Sequence, residues 1–238
     1  MSAIQQMLMA YGAAGGGGGS DPYVANRVLS MHFDGSNGST TFTDYHSHSV
    51  TRVGSTATIS TAQAMFGQSL AITGATEALT TPHATDLDFT TGDWTIRFFI
   101  YMTSGSGTAK LLINKATGAG QYPWQLTINS TGKLLLQTFN SGGTLVLNTA
   151  GTTTVSANAW HHIEACRSGS NFYAFLDGTV EITGSSAAAL RSASDPVNIG
   201  GLSTGASSWP GYIDELQMYK GVAIHTANFT PQSSATPD

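Results

Sequence analysis

Two periodicities divide this chain. In residues 1–14 the apolar side chains of Ile4, Met7, Leu8 and Tyr11 recur at i, i+3, i+4 and i+7, which gathers them on one face of a helix. Ser2 and Gln5 fit the capping box that would start it. Five consecutive glycines, Gly15 to Gly19, end it, because ordering glycine sacrifices more backbone freedom than ordering any other residue. A helix of about ten residues is marginal alone in water. Its apolar face needs a partner, and the glycine run is a tether that lets it reach one.

From Val28 onward the period is two. Trp94, Ile96, Phe98, Ile100 and Met102 point one way; Thr95, Arg97, Phe99 and Tyr101 point the other. Trp124, Leu126 and Ile128 repeat the pattern against Gln125, Thr127 and Asn129, and Ser130–Lys133 reads as a turn into a returning strand, Leu134–Phe139. A second hairpin joins Trp160–Arg167 to Asn171–Leu176 through Ser168, Gly169 and Ser170. Asp177-Gly178 is a two-residue turn signal, followed by a strand over Thr179–Thr183, and Val197–Ile199 and Gly211–Tyr219 complete the set. No helix interrupts these strands. Many strands, glycine-rich turns and no strand–helix alternation predict an all-β fold, a sandwich or a barrel. The expected organisation is an anchor peptide and tether over 1–26 and a β domain over 27–238.

Composition narrows the classes. Charged residues are 10% of the chain, against about 25% in a typical soluble domain, while 40% hydrophobic residues suffice for a core. The net charge is −5 and the nine Lys and Arg are scattered, so no basic stripe exists to displace counterions from a phosphate backbone, and nucleic acid is not an expected partner. Cys166 is the only cysteine; it reads as a small buried apolar residue, and it excludes a disulfide framework. No apolar run approaches the ~20 residues of a membrane helix, and the first 26 residues, which lack Lys and Arg, do not read as a signal peptide.

Several landmarks fall in order: Phe33-Asp34-Gly35, Phe66-Gly67-Gln68-Ser69-Leu70, Gly92-Asp93-Trp94, Trp160-His161-His162, Leu176-Asp177-Gly178, Asn198-Ile199-Gly200-Gly201 and Gly211-Tyr212-Ile213-Asp214-Glu215. Together they resemble the concanavalin A-like, laminin-G-like family over about residues 28–220. The resemblance implies a jelly-roll sandwich of two antiparallel sheets. The stretch from Tyr219 through Pro231 is similar to the version of this domain in tailed-bacteriophage structural proteins. The fold hosts lectins, adhesion modules and glycanases, so it does not settle an activity.

The residues themselves argue against catalysis. Glycanases need two carboxylates flanking the scissile bond, and same-face strand positions are i and i+2. Asp214 and Glu215 are adjacent and are expected on opposite faces, with no third acid following. There is no G-x-S-x-G elbow and no phosphate-binding loop. Asp86 and Asp88 share an i, i+2 spacing, and the resemblance implies a Ca2+ option at such a loop edge. His161-His162 and the pair His46 and His48 lack the further ligands that zinc requires. Tyr122, Trp124 and Trp209, with Asn140 and Asn171, are the candidates for a glycan platform, although Trp124 and Trp209 start strands and also read as core.

The expected function is therefore a non-enzymatic virion module of a tailed phage, a capsid decoration or tail accessory. It would dock on other virion proteins through Ile4, Met7, Leu8 and Tyr11, without membrane insertion. Assembly would take place in the host cytoplasm, and phage resemblance suggests a trimer. The alternative is a lectin that contacts host-surface glycan; a glycan hydrolase is the third reading.

Overall fold

The computed structural model describes residues 20–104, 107–117 and 122–237. Among these residues fifteen strands form two antiparallel sheets. They are β1 (Arg27–Met31), β2 (Thr51–Val53), β3 (Thr58–Ser60), β4 (Ser69–Ile72), β5 (Ala78–Thr81), β6 (Trp94–Met102), β7 (Lys110–Lys115), β8 (Gln125–Ile128), β9 (Lys133–Phe139), β10 (Leu145–Thr154), β11 (Trp160–Ser168), β12 (Asn171–Leu176), β13 (Thr179–Ser185), β14 (Val197–Ile199) and β15 (Gly211–Lys220). The first sheet runs β13-β12-β11-β6-β15-β4-β3, with β1 also paired to β15. The second runs β10-β9-β8-β7-β14-β5-β2. The only helical turns among the described residues are 3-10 segments at Val24–Asn26 and Thr85–Leu87. This is the all-β fold that the alternation predicts and, of its two options, the two-sheet sandwich that the family resemblance implies.

The core lies between the sheets. One row of β6, with Trp94, Ile96, Phe98, Ile100 and Met102, faces Leu126 and Ile128 of β8 and Leu134 and Leu136 of β9, all at most 2% exposed. Phe89 stacks between Trp94 and Trp124 at ring distances of 5.5 and 5.9 Å. Asp177 and Gly178 adopt φ of 51° and 75°, the two left-handed residues of the tight hairpin turn that joins β12 to β13.

The opposite row of β6 is also inaccessible: Thr95 and Phe99 are buried. The reason is the chain's own C-terminal segment, residues 221–237, which crosses the outer face of the first sheet as a strap. The Ile224 amide donates to Thr95 Oγ1, which donates to the Val222 carbonyl. His225 Nδ1 meets the Glu164 carboxylate at 2.9 Å. Phe229 stacks on His225 at 3.6 Å and packs edge-on to His162 and Phe175. Its amide donates to the Gly178 carbonyl, and its own carbonyl comes so close to Gly178 that a side chain there has no room. Farther along, the Thr236 amide donates to Glu215.

Two expectations need correction. The sandwich does not begin at residue 27. Asp21 is buried, accepts from the Tyr219 hydroxyl at 2.9 Å and lies 3.7 Å from Arg27 Nη1. Asp214 and Glu215 do not face opposite ways either. A bulge in β15, with Glu215 at φ 52°, inserts an extra residue between the inward-facing Ile213 and Leu216, so both carboxylates leave the core on one side. Asp214 accepts from the amides of Met65 and Phe66, and Glu215 pairs with His32 at 2.5 Å. They are 0% and 1% exposed, so neither reaches a substrate. The helical anchor residues Ile4, Met7, Leu8 and Tyr11, and the glycine tether, lie outside the described residues.

Candidate functional site

With the first sheet covered by the strap, the outer face of the second sheet is the broad surface left for a ligand. The side-chain period of two places every second residue of its strands there. One register row carries an amide on five neighbouring strands. Asn198 of β14 pairs with Asn114 of β7, Asn114 with Gln125 of β8, Gln125 with Gln137 of β9, and Gln137 with Asn148 of β10.

These side chains form one directed chain of hydrogen bonds. Asn198 Nδ2 donates to Asn114 Oδ1 at 2.8 Å, Asn114 Nδ2 to Gln125 Oε1 at 2.9 Å, Gln125 Nε2 to Gln137 Oε1 at 3.1 Å, and Gln137 Nε2 to Asn148 Oδ1 at 3.0 Å. Aligned amide dipoles polarise one another and strengthen such a chain. Each amide has two N–H donors and two lone pairs, so a link in the ladder leaves capacity for a ligand. Burial deepens along it: Asn148 is exposed, Gln137 and Gln125 are half-buried, and Asn114 and Asn198 are fully buried.

Tyr122 belongs to this site, in a role other than the expected one. It is 8% exposed, its hydroxyl donates to Gln137 Oε1 at 2.8 Å, and its ring meets Phe139 edge-on at 5.2 Å. Burial pushes its phenol above the usual range. It fixes the ladder and does not offer an open stacking face. Half-buried Phe139 and Leu135 flank Gln137 along β9, and Leu145 is 40% exposed at the edge. The ladder was missed at the sequence level because its residues come from five separate strands. The available signal was an amide at the outward position of successive strands.

Trp124 and Trp209 are corrected: both are 0% exposed core residues and cannot meet a sugar. Asn140 caps its own turn, accepting from the amides of Gly142 and Thr144, and Asn171 belongs to the other sheet. Asp86 and Asp88 are corrected as a Ca2+ pair. Asp86 turns to His48 at 3.2 Å and Asp88 to the buried Lys115 ammonium at 3.1 Å, so they do not converge. No group of three His, Cys, Asp or Glu side chains suited to a metal ion occurs among the described residues. His48 lies between Asp86 and Asp44, 2.6 Å away.

One contact chain has the order of a hydrolytic triad. Ser156 Oγ lies 2.8 Å from His161 Nε2, and His161 Nδ1 lies 2.7 Å from Asp177 Oδ2. Asp177 Oδ1 accepts from the His162 amide, and its hydrogen bonds hold its carboxyl below the usual range despite partial burial. A cavity of about 240 Å³ opens nearby, lined by Met102, Thr154, Val155 and Ala157 but not by Ser156. The trio thus ties the start of β11 to the β12–β13 turn and does not line that cavity.

The profile of the concanavalin A-like lectin/glucanases superfamily matches residues 73–225. Solved structures match in fold. The binding domain of Paraclostridial mosquitocidal protein 1 superposes with a TM-score of 0.65 at 15% identity, covering 84% of this chain and 50% of that one. Domain 4 of AbnA, a GH43 extracellular arabinanase from Geobacillus stearothermophilus in complex with arabinotriose, gives 0.64 at 14% identity, with 82% and 93% covered. The receptor-binding domain of botulinum neurotoxin D gives 0.59 at 10% identity, with 83% and 50% covered. This chain spans about half the length of the two toxin domains, and at these identities the likeness is one of fold. No curated protein sequence matches the chain.

Proposed function

The chain belongs to the concanavalin A-like lectin/glucanases superfamily, and from that premise we propose that it is a non-catalytic glycan-binding module whose site is the outer face of the second sheet. The observation that carries this is the amide ladder Asn198–Asn114–Gln125–Gln137–Asn148. Donors and acceptors held by their neighbours meet sugar hydroxyls without losing side-chain freedom on binding. The reading as non-catalytic is supported by the buried, engaged Asp214 and Glu215 and by Ser156, which does not line the nearby cavity. Two fold neighbours support it by their descriptions, one as a receptor-binding domain and one as bound to arabinotriose.

A glycan panel tests the proposal by thermal unfolding. A ligand at a hundredfold its Kd stabilises the folded state by about 2.7 kcal/mol, which raises Tm by several degrees in a chain of this size. The expected result is a shift with some glycan, abolished in Gln137→Ala, with no sugar product on chromatography. No shift across neutral and acidic glycans would refute the reading.

We propose further that the module is carried on a tailed-phage virion, docked on other virion proteins through Ile4, Met7, Leu8 and Tyr11. The support is sequence-level: the amphipathic start, the glycine tether and the phage-like stretch from Tyr219 to Pro231. Many copies on one particle would make weak glycan contacts count through avidity.

A further inference from the structure

We infer that the ligand of this face is a neutral, linear polysaccharide that crosses the strands along the amide ladder; the inference rests on the glycan-binding reading above. Neighbouring strands are about 4.8 Å apart, close to the length of one pyranose unit in an extended chain. A glycan laid perpendicular to the strands therefore meets one amide per sugar. A vicinal pair of hydroxyls can accept from one amide and donate to the next: Gln125 keeps one N–H and one lone pair unused, and Gln137, whose Oε1 accepts from both Gln125 and Tyr122, keeps one N–H.

Charge selects the class. The ladder and its flanking outward positions, Thr127, Leu135 and Phe139, hold no ionisable group. Lys133 stands four residues along β9 from Gln137, about 13 Å away at strand rise. Arg191 is paired with Asp195 at 2.9 Å, and Lys115 with Asp88 at 3.1 Å. A sugar carboxylate on the ladder would lose hydration with no cation to replace it, which is strongly unfavourable. A neutral sugar has no such penalty, and Leu135 and Phe139 receive its C–H faces.

Burial sets the length. Only Asn148, Gln137 and Gln125 are accessible, because Asn114 and Asn198 are fully buried. The open part of the ladder thus spans three strands. Affinity should rise up to three or four sugars and then level off.

The test is calorimetric titration of the full chain with neutral β-1,4-gluco-, β-1,4-manno- and α-1,5-arabino-oligosaccharides of one to six units, beside sialyllactose and oligogalacturonate. One neutral series is expected to bind roughly three- to tenfold tighter per added sugar until the plateau, with little dependence on salt. Asn148→Ala, at an exposed position, should weaken binding by a similar factor at unchanged Tm. Gln125→Ala should weaken it as much and also lower Tm, because the buried Asn114 amide loses its acceptor. Tyr173→Ala on the other sheet should leave binding unchanged. An acidic glycan that binds as well as the neutral ones and loses affinity in Asn148→Ala would overturn the neutral class and leave glycan binding standing. Neutral binding indifferent to both ladder variants would overturn the location. Binding of no saccharide would overturn the inference together with the function it rests on.

Discussion

His162 is buried between Phe99 and Phe229, with ring distances of 4.9 and 5.6 Å, and its Nδ1 has no hydrogen-bond partner. Burial, aided by the Arg97 and His225 charges and opposed by Asp177, lowers its pKa from 6.5 to about 3. Below pH 6.5 the unfolded chain therefore takes up a proton that the folded chain refuses, and stability is lost as pH falls towards 3. His162→Phe should remove this loss, which amounts to about 2 kcal/mol by pH 5. Urea midpoints at pH 7 and pH 5 check it: the gap should shrink in the variant. Burial pushes Asp214 the other way, up to about 8, so the comparison with the variant, and not the wild-type slope alone, isolates His162. At this scale the sequence was informative where chemistry is local. The burial of Cys166 could be read from its residue type, a small and weakly polar side chain, although it shares with His162 the outer face that the strap covers. The burial of His162 could not, because the cover comes from residues more than sixty positions away.

At the scale of elements, the strap and the ladder decide which sheet is open. Removing residues 221–238 should expose the outer face of the first sheet. Ile224 and Phe229 would leave their contacts with Thr95, His162 and Phe175, lowering stability by more than about 3 kcal/mol. Cys166, whose thiol donates to the His225 carbonyl and whose pKa is pushed up by burial, should then react with iodoacetamide, as it should not in the full chain. A folded, truncated chain with an unreactive Cys166 would mean that something other than the strap covers it. The strands with alternating apolar residues, β6, β8, β9 and β11, were legible in the sequence almost to the residue. Strand β10, Leu145–Thr154, was not, because its C-terminal half, Thr149–Thr154, is a threonine-rich edge with little apolar face. The ladder stayed hidden for a related reason: its register links positions as distant as Asn114 and Asn198.

At the scale of the whole molecule, the division between tether and sandwich can be tested directly. Deleting residues 1–19 should leave Tm unchanged and abolish incorporation into phage particles. Deleting residues 1–26 should also destabilise the sandwich by about 3–5 kcal/mol, because Tyr219 and Arg27 lose the buried Asp21. Thermal unfolding and gold labelling of particles read the two effects apart; normal incorporation of the shorter deletion would refute the anchor. The sequence by itself determined the all-β class, since a side-chain period of two and turn residues at fixed places leave a sandwich or a barrel as the way to bury Trp94 through Met102, and the order of its landmarks pointed by resemblance to the sandwich. It also determined that Lys and Arg form no run along the chain and that β15 carries no i, i+2 pair of acids. Only the tertiary structure decided that Asp214 and Glu215 share a side, that Trp124 and Trp209 are core, that the C-terminal segment closes one face, and that five amides meet on the other. Periodicity states how one strand presents its residues, whereas a site is made by register between strands, and register depends on packing that no single strand encodes.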